Sequence, residues 1–199
     1  MQERAKITRK KILQAAVNEF SAKGIDGARV DGIATKAGVN KQRIYAYFKN
    51  KNGLFEAALA AVFAEISIFP SKSINEIMHC PKRITEILMR DFMKIHANHP
   101  EFWRMLAWAN LNDEVSLNLL RGICIREDAG FREAFYTAQR TGVLVREISY
   151  ENYIFSLMAI TFFYHSNGKT LSQTLSPEFF TENGREAMTT QINMLFGKV

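Results

Sequence analysis

The segment from Gly38 to Leu54 combines positive charge with aromatic rings over a short stretch of chain. It carries four cations and no acidic residue: Lys41, Arg43, Lys49 and Lys51. Three aromatic residues lie within four positions: Tyr45, Tyr47 and Phe48. Lysine, arginine and tyrosine side chains bind phosphate oxygens, and arginine also reads the edges of bases. This composition suits an anionic partner better than it suits a solvated surface or an apolar core.

The positive charge of the whole chain is concentrated in its first quarter. Residues 1–53 carry 12 lysines and arginines against 4 acidic residues, whereas residues 54–199 carry 14 against 16. Such an asymmetry points to a nucleic acid or to an anionic membrane surface. A membrane-surface helix is the weaker alternative, because the apolar residues Ile12, Ala16 and Phe20 are needed for the core of a small helical domain.

Targeting and redox signals are consistent with a cytoplasmic protein. The N-terminal stretch lacks the long apolar run of a secretory signal. The longest apolar stretch, residues 153–164, is shorter than the about 20 residues that span a bilayer. Cys80 and Cys124 are 44 positions apart without a CxxC pattern, which indicates buried thiols in a reducing compartment.

Catalytic motifs are not apparent. The sequence SNGKT at 166–170 resembles the end of a phosphate-binding loop, but Phe163 stands where that loop requires glycine. The metalloprotease and hydrolase patterns HExxH and GxSxG do not occur. We therefore expect no enzyme, no cofactor and no metal site.

Apolar periodicity and capping residues predict four helices in the first third of the chain, at about 8–23, 29–37, 41–48 and 51–68. Thr8, Asn40 and Asn50 are the expected N-caps, and Gly24 and Gly38 are the expected helix ends. Two short helices joined by a tight turn make a helix-turn-helix, here at about 29–48. Its second helix would be the recognition helix that enters the major groove.

The predicted helix starts carry the wrong charge for helix stability alone. A helix N-terminus prefers acidic residues, yet cations follow Thr8, Asn40 and Asn50. A phosphate at these positions would neutralise the cations and accept hydrogen bonds from the free amides. The alternative is that the long side chains simply extend into water.

The stretch from Thr8 to Leu59 resembles the N-terminal domain of TetR/AcrR-type transcriptional regulators. The matching pattern includes Ile12-Leu13, Phe20 and Gly24, then Ile33-Ala34 and Ala37-Gly38-Val39, then Ile44-Tyr45, Tyr47-Phe48, Lys51 and Leu54. Two departures stand out. The Ser or Thr that often caps the second helix is absent, so Asp26 or Gly27 would serve, and Gln42-Arg43 replaces frequent small residues.

Chemistry and resemblance assign roles to six DNA-facing residues. Lys41 begins the recognition helix, Gln42 can pair with adenine, and Arg43 can bind guanine or a phosphate. Tyr45 contacts a base, a phosphate or the protein core. The resemblance implies that Tyr47 and Lys51 hold phosphates on either side of the groove. Arg4 and Lys6, ahead of the first predicted helix, would reach the neighbouring backbone or minor groove.

The rest of the chain reads as further helices at about 82–98, 100–111, 116–141, 150–167 and 177–196 after a loosely structured connection over 71–82. The stretch NYIFSLMAITFFYH is apolar nearly all round, which indicates burial on more than one side. The resemblance implies a homodimer through the last two helices. It also implies a pocket for a small, largely apolar ligand, for which the candidates are Phe92, His96, Trp103, Trp108, Phe135, Phe162 and His165. These residues could equally be plain core.

The sequence therefore predicts an all-α protein with an N-terminal three-helix helix-turn-helix domain, residues 5–65, and a larger helical ligand-binding and dimerisation domain, residues 70–199. We expect a homodimer that binds a palindromic operator in double-stranded DNA. It would be a repressor released by a small ligand, or alternatively a ligand-dependent activator of the same fold.

Overall fold

A computed structural model describes residues 2–66, 70–113, 118 and 129–197. In this part of the chain the regular structure is helical, apart from one isolated bridge between Leu144 and Gly197. The α-helices are α1 (Gln2–Gly27), α2 (Val30–Ala37), α3 (Lys41–Phe48), α4 (Lys51–Glu65), α5 (Ser71–His79), α6 (Ile84–Asn98), α7 (Pro100–Asn110), α8 (Ala129–Arg140), α9 (Tyr150–Ser166), α10 (Gly168–Thr174) and α11 (Glu182–Phe196). Short 3-10 turns occupy Pro81–Arg83 and Pro177–Phe180. The predicted all-α fold class is confirmed.

The first helix begins earlier than predicted. α1 starts at Gln2, so Thr8 lies inside the helix, where its hydroxyl donates to the Arg4 carbonyl at 2.9 Å instead of capping the N-terminus. The residues before Thr8 include the good helix formers Glu3, Arg4 and Lys6, which extend the helix backwards. Gly24 was predicted to end this helix. Its φ of 70° does interrupt the helical backbone there, although α1 continues to Gly27.

The predicted loose connection over 71–82 is wrong, because most of it forms α5. Ile77 is fully buried and Ile74 packs beside the same core, so one face of the segment is anchored. Pro70 and Pro81, which suggested a loop, stand outside the two ends of the helix. A proline there is compatible with a helix between them.

The C-terminal helices also differ from the prediction in extent. The predicted helix over 116–141 is observed at Ala129–Arg140, and residues 114–117 and 119–128 lie outside the described residues. The predicted helix over 177–196 is divided by Thr181, whose hydroxyl caps α11 by accepting from the Gly184 amide at 3.2 Å. The connection before it contains α10, which was not predicted.

The contacts divide the chain into two compact units, residues 1–67 with 99–124 and residues 68–98 with 125–199. In the first unit, α1 packs against α2, α4 and α7, and the rings of Phe20 and Phe55 meet edge to face at 5.1 Å. In the second unit, α6 packs along α9 and α11. Its buried aromatic residues Phe135 and Tyr153 have ring centroids 5.3 Å apart.

Candidate nucleic-acid interface

The turn between α2 and α3 is held by local hydrogen bonds. Gly38 has a left-handed backbone with a φ of 67°, and its amide donates to the Thr35 carbonyl at 3.2 Å. The next amide, of Val39, donates to the Ala34 carbonyl at 3.0 Å. Glycine adopts positive φ without a steric cost, so Gly38 ends α2 where the sequence predicts. At its start α2 differs from the prediction, because Arg29 occupies the N-cap and its side chain makes no cap hydrogen bond.

The recognition helix α3 is fixed by its cap and by two buried side chains. The Asn40 side chain accepts a hydrogen bond from the Arg43 amide at 2.8 Å, which confirms the predicted N-cap. Ile44 and Phe48 are buried in the first unit. These anchors leave the opposite face, with Lys41, Gln42 and Arg43, exposed to solvent. Tyr45 and Tyr47 are half-buried, which suits residues that pack with one end and bind with the other.

The junction between α3 and α4 is unusually tight. Lys49 has a φ of 64°, and the Asn50 amide donates to the Phe48 carbonyl at 2.8 Å. The Asn50 side chain caps α4 by accepting from the Gly53 amide at 2.7 Å, as predicted. A methyl group at Gly53 would lie 2.4 Å from the Phe48 carbonyl oxygen, so the site accepts only glycine without rearrangement. The junction therefore sets how the end of the recognition helix meets α4.

Cations at the N-termini of α3 and α4 are not balanced by acidic residues in the same turns. Lys41 instead pairs with Asp31 on α2 at 3.1 Å, and this hydrogen bond raises the pKa of Lys41. The Lys51 ammonium group donates to the Asp26 carbonyl at 3.2 Å. The third expected case is wrong, because α1 begins at Gln2 and its cations Arg9, Lys10 and Lys11 lie beyond the first turn. Two of the three expected helix starts, those of α3 and α4, therefore carry a cation and no acid in the first turn, and at α3 the cation pairs with an acid of another helix.

A buried carboxylate joins α1 to α2. The Glu19 side chain is only 3% exposed, and its two oxygens accept from Lys23 at 2.6 Å and from Lys36 at 2.8 Å. These hydrogen bonds lower the pKa of Glu19 to about 2. Sequence analysis missed this residue, although an acid between the buried positions Val17 and Phe20 is the signal that would have found it.

Three cations of α1, Arg4, Lys6 and Arg9, add to the cations of α3 and α4. Arg4 and Lys6 are exposed, but they lie within α1 rather than ahead of it as expected. The Arg9 guanidinium lies over the Phe48 ring at 5.4 Å from its centroid. This cation–π contact links α1 to the end of the recognition helix, and sequence analysis did not identify it.

The predicted ligand-pocket residues are divided between the two compact units. Trp103 and Trp108 belong to α7 in the first unit, and the Trp108 ring covers Gly24, where a methyl group would lie 2.7 Å from it. In the second unit, His96 lies 5.9 Å from both Phe162 and His165, measured between ring centroids. Phe135 instead packs against Tyr150 and Tyr153. Phe92 is buried in the core of the second unit.

The described residues offer neither a metal site nor a membrane span. None of their His, Cys, Asp and Glu side chains form a group of three or more that could hold a metal ion. In the same part of the chain, no helix combines the length and the apolar character needed to cross a membrane.

A capped, outward-facing basic helix at the end of a tight glycine turn defines a helix-turn-helix regulator of transcription. Comparison with known proteins gives the family. Residues 12–58 match the family described as bacterial regulatory proteins, tetR family, and residues 81–194 match the tetracyclin repressor-like C-terminal domain. The chain belongs to the TetR family and is a DNA-binding transcriptional regulator.

Individual relatives agree with this assignment. The HTH-type transcriptional repressor NicS of Pseudomonas putida is 28% identical over 196 residues, which cover 97% of this chain and 92% of NicS. The HTH-type transcriptional repressor SCO4008 of Streptomyces coelicolor is 38% identical over 104 residues, which cover 52% of this chain and 50% of that protein. The crystal structure of the putative transcriptional regulator SCO4942 of Streptomyces coelicolor superposes with a TM-score of 0.69 at 24% identity, covering 96% and 99% of the two chains. This last likeness concerns the fold.

Proposed function

We propose that the protein is a homodimeric repressor that binds a palindromic operator and is released from it by a small ligand. The observation that carries the proposal is the exposed edge of α3, where Lys41, Gln42 and Arg43 follow the Asn40 cap. A major groove admits an α-helix, and the residues at its N-terminal end are the ones that reach base edges.

The proposed contacts divide into base readout and phosphate binding. Gln42 pairs with adenine and Arg43 with guanine, because both side chains can form two parallel hydrogen bonds to these bases. Lys41, Tyr47 and Lys51 bind phosphates at the edges of the groove. Tyr45 is half-buried, so its hydroxyl end is the part available to DNA.

A dimer through α9 and α11 is supported by apolar side chains that each helix leaves open. On α9, Tyr153 and Leu157 are buried, yet Phe155 and Phe163 are 71% and 55% exposed. On α11, Met188 is buried within the chain's own core, whereas Leu195 is 70% exposed. Exposed apolar surface of this kind marks interaction sites. Regulators of this family act as dimers, and a two-fold dimer explains why the operator would be a palindrome.

The sign of regulation follows the relatives, since NicS and SCO4008 are both named repressors. Release by a ligand requires that the ligand bind the DNA-free state more tightly than the DNA-bound state. A ligand-dependent activator would use the same DNA contacts and differs only in the effect of binding on transcription.

Selection of bound duplexes from random DNA tests the proposal directly. We expect an enriched palindrome, and the protein should shift a duplex that carries it in a gel at low ionic strength. A reporter carrying this palindrome in its promoter should be repressed by the protein. Failure to enrich any duplex contradicts the proposal, and higher reporter expression with the protein would identify an activator.

A further inference from the structure

Two histidines face each other at one end of the helix pair formed by α6 and α9. Thr85 and Tyr153 meet near the first turns of these helices, and His96 and His165 meet near their last turns, so the helices run in the same direction. The two imidazole centroids are 5.9 Å apart with their planes tilted by 43°. His96 is only 5% exposed, and His165 is half-buried.

The two ends of the helix pair differ in how their polar groups are satisfied. At the first end, the Thr85 and Tyr153 hydroxyls are hydrogen-bonded to each other at 2.9 Å. At the second end, His96 Nδ1 and His165 Nε2 are buried without a hydrogen-bond partner. Buried polar atoms in folded proteins are nearly always paired, so orphaned nitrogens on two rings with centroids 5.9 Å apart point to a binding site for a polar group.

Both imidazoles are neutral at pH 7. Burial lowers the pKa of His96 to about 4, with a smaller contribution from His165. Burial also lowers the pKa of His165, helped by the positive charge of Arg185 and opposed by a hydrogen bond to the Met93 backbone. That bond favours the protonated ring, so the His165 ring donates to Met93. Its other nitrogen, Nε2, then carries a lone pair that accepts a hydrogen bond.

The surroundings of the pair restrict what the partner can be. Aromatic rings stand next to it, Phe162 at 5.9 Å from His96 and Tyr164 at 5.3 Å from His165. The charge of Arg185 disfavours a cation beside His165. Among the described residues no third His, Cys, Asp or Glu completes a metal site with the two histidines. An uncharged group with an N–H or O–H satisfies these conditions.

We propose that His96 and His165 are the polar anchor of a small-molecule site between α6 and α9, which takes an uncharged, largely aromatic ligand through its N–H or O–H group. The inference rests on the proposed ligand-responsive function and gives the chemical class of the ligand. Phe162 supplies an apolar contact for the ring of the ligand, and the two nitrogens fix the position of its polar end.

Matched pairs of small aromatic compounds test the site in the full-length protein without DNA. The probes are phenol with anisole, indole with 1-methylindole, and benzamide with N,N-dimethylbenzamide, since in each pair the second compound lacks the donor. We expect at least one donor compound to raise the Tm and to shift the NMR signals of two of the four histidines. The methylated partner should do neither.

Substitution separates a binding role from a structural one. His96→Leu removes an orphaned buried nitrogen, so it should raise the Tm of the free protein. His165→Leu also gives up the hydrogen bond to the Met93 backbone, so no rise in Tm is expected for it. Both variants should abolish the Tm shift given by the donor compound. His79→Gln, on the exposed face of α5, is the matched control and should keep that shift.

Several results would overturn the inference. Equal effects of donor and methylated compounds, or an undiminished shift in both leucine variants, would show that the histidines are not the anchor. A Tm rise with Zn²⁺ or Ni²⁺ alone that the leucine variants lose would identify a metal site instead. Absence of any shift would leave only a buried water between the rings. Release from the operator is measured separately for the leucine variants. If the donor compound still releases them from the operator, the protein is ligand-responsive as proposed, but the two histidines are not the anchor of the ligand.

Discussion

The Lys41 ammonium nitrogen lies 3.1 Å from an Asp31 carboxylate oxygen, so the first cation of the recognition helix already has an anionic partner. Asp31 belongs to the first turn of α2, where a negative charge suits the helix N-terminus. A phosphate that approaches Lys41 must therefore compete with this carboxylate. Asp31 lowers the gain that Lys41 can contribute to DNA binding.

Replacing Asp31 with asparagine should strengthen binding to all duplexes. We expect an increase in affinity of roughly two- to fivefold at low ionic strength, because the displaced pair is exposed and weak. Titration of specific and random DNA by fluorescence anisotropy measures it. The control is the same substitution in a Lys41→Ala background, where the gain in affinity should disappear. An equal gain there would show that the effect comes from the loss of one negative charge and not from the release of Lys41.

Arg43 and Lys51 should respond differently to truncation. Arg43→Ala should weaken binding to the selected operator by about 1–3 kcal/mol and relax its base preference, because a base contact is lost. Lys51→Ala should weaken operator and random DNA alike and reduce the salt slope by about 1. Anisotropy titrations at several salt concentrations separate the two. Equal losses on both DNAs for Arg43→Ala would make it a phosphate contact.

Gly53→Ala should disrupt the junction between the recognition helix and α4. The added methyl group would lie 2.4 Å from the Phe48 carbonyl oxygen, which belongs to the backbone and cannot turn away. We expect the free energy of unfolding to fall by about 1–3 kcal/mol in urea denaturation, together with weaker operator binding.

The matched control for Gly53 is Gly32→Ala in α2. The nearest heavy atom to a methyl group there is a Glu19 carboxylate oxygen at 3.8 Å, which is ordinary contact. Alanine should stabilise the helix by about 0.4–1 kcal/mol because it restricts the unfolded chain. Equal stability of the two variants would contradict the close approach at Gly53.

Glu19 should make the stability of the protein depend on pH in acid. Its pKa is lowered to about 2 in the folded state from an ordinary value of 4.5. The stabilisation is therefore complete above about pH 4.5 and is lost as the pH falls through that value towards 2. Glu19→Gln should cost about 1–3 kcal/mol at pH 7, because it removes the charged acceptor of Lys23 and Lys36.

Urea unfolding of wild type and Glu19→Gln at pH 7, 4 and 3 measures this difference. The difference in the free energy of unfolding between the two proteins should become smaller at each step from pH 7 to pH 3. Glu65→Gln, at an exposed position of α4, is the control and should change stability by less than about 0.5 kcal/mol at every pH. A gap that stays constant with pH would show that Glu19 acts through packing alone.

Lys49 is held at a positive φ of 64° between the recognition helix and α4. Glycine adopts such a backbone without steric cost, so Lys49→Gly should raise the free energy of unfolding by about 1 kcal/mol. Lys49→Ala removes the same charge but keeps the strain, and it should give no such gain. Urea denaturation of Lys49→Gly and Lys49→Ala compares the two backbones at the same net charge. Equal free energies of unfolding would show that the positive φ at this position is not strained.

The sequence by itself determined the local structure of α2, α3 and the start of α4. Asn40 and Asn50 cap their helices, Gly38 ends α2, and Ile44 and Phe48 are buried where the apolar spacing placed them. These features depend on residues within about one helical turn of each other, and short-range rules describe them. The prediction failed at Thr8 because the helix-forming residues before it extend α1 to Gln2. It failed over 71–82 because the apolar face of α5, with Ile77 buried, holds a helix between the two prolines.

Only the tertiary structure decided which side chains meet across helices. The contact of Glu19 with Lys36, the pairing of Asp31 with Lys41, and the meeting of His96 with His165 join residues from different helices. Periodicity states which face of a helix is apolar, but it does not state which neighbour packs there or at what register. Burial of an acid or of an imidazole nitrogen follows from that packing, because the absence of water determines the pKa and the need for a partner.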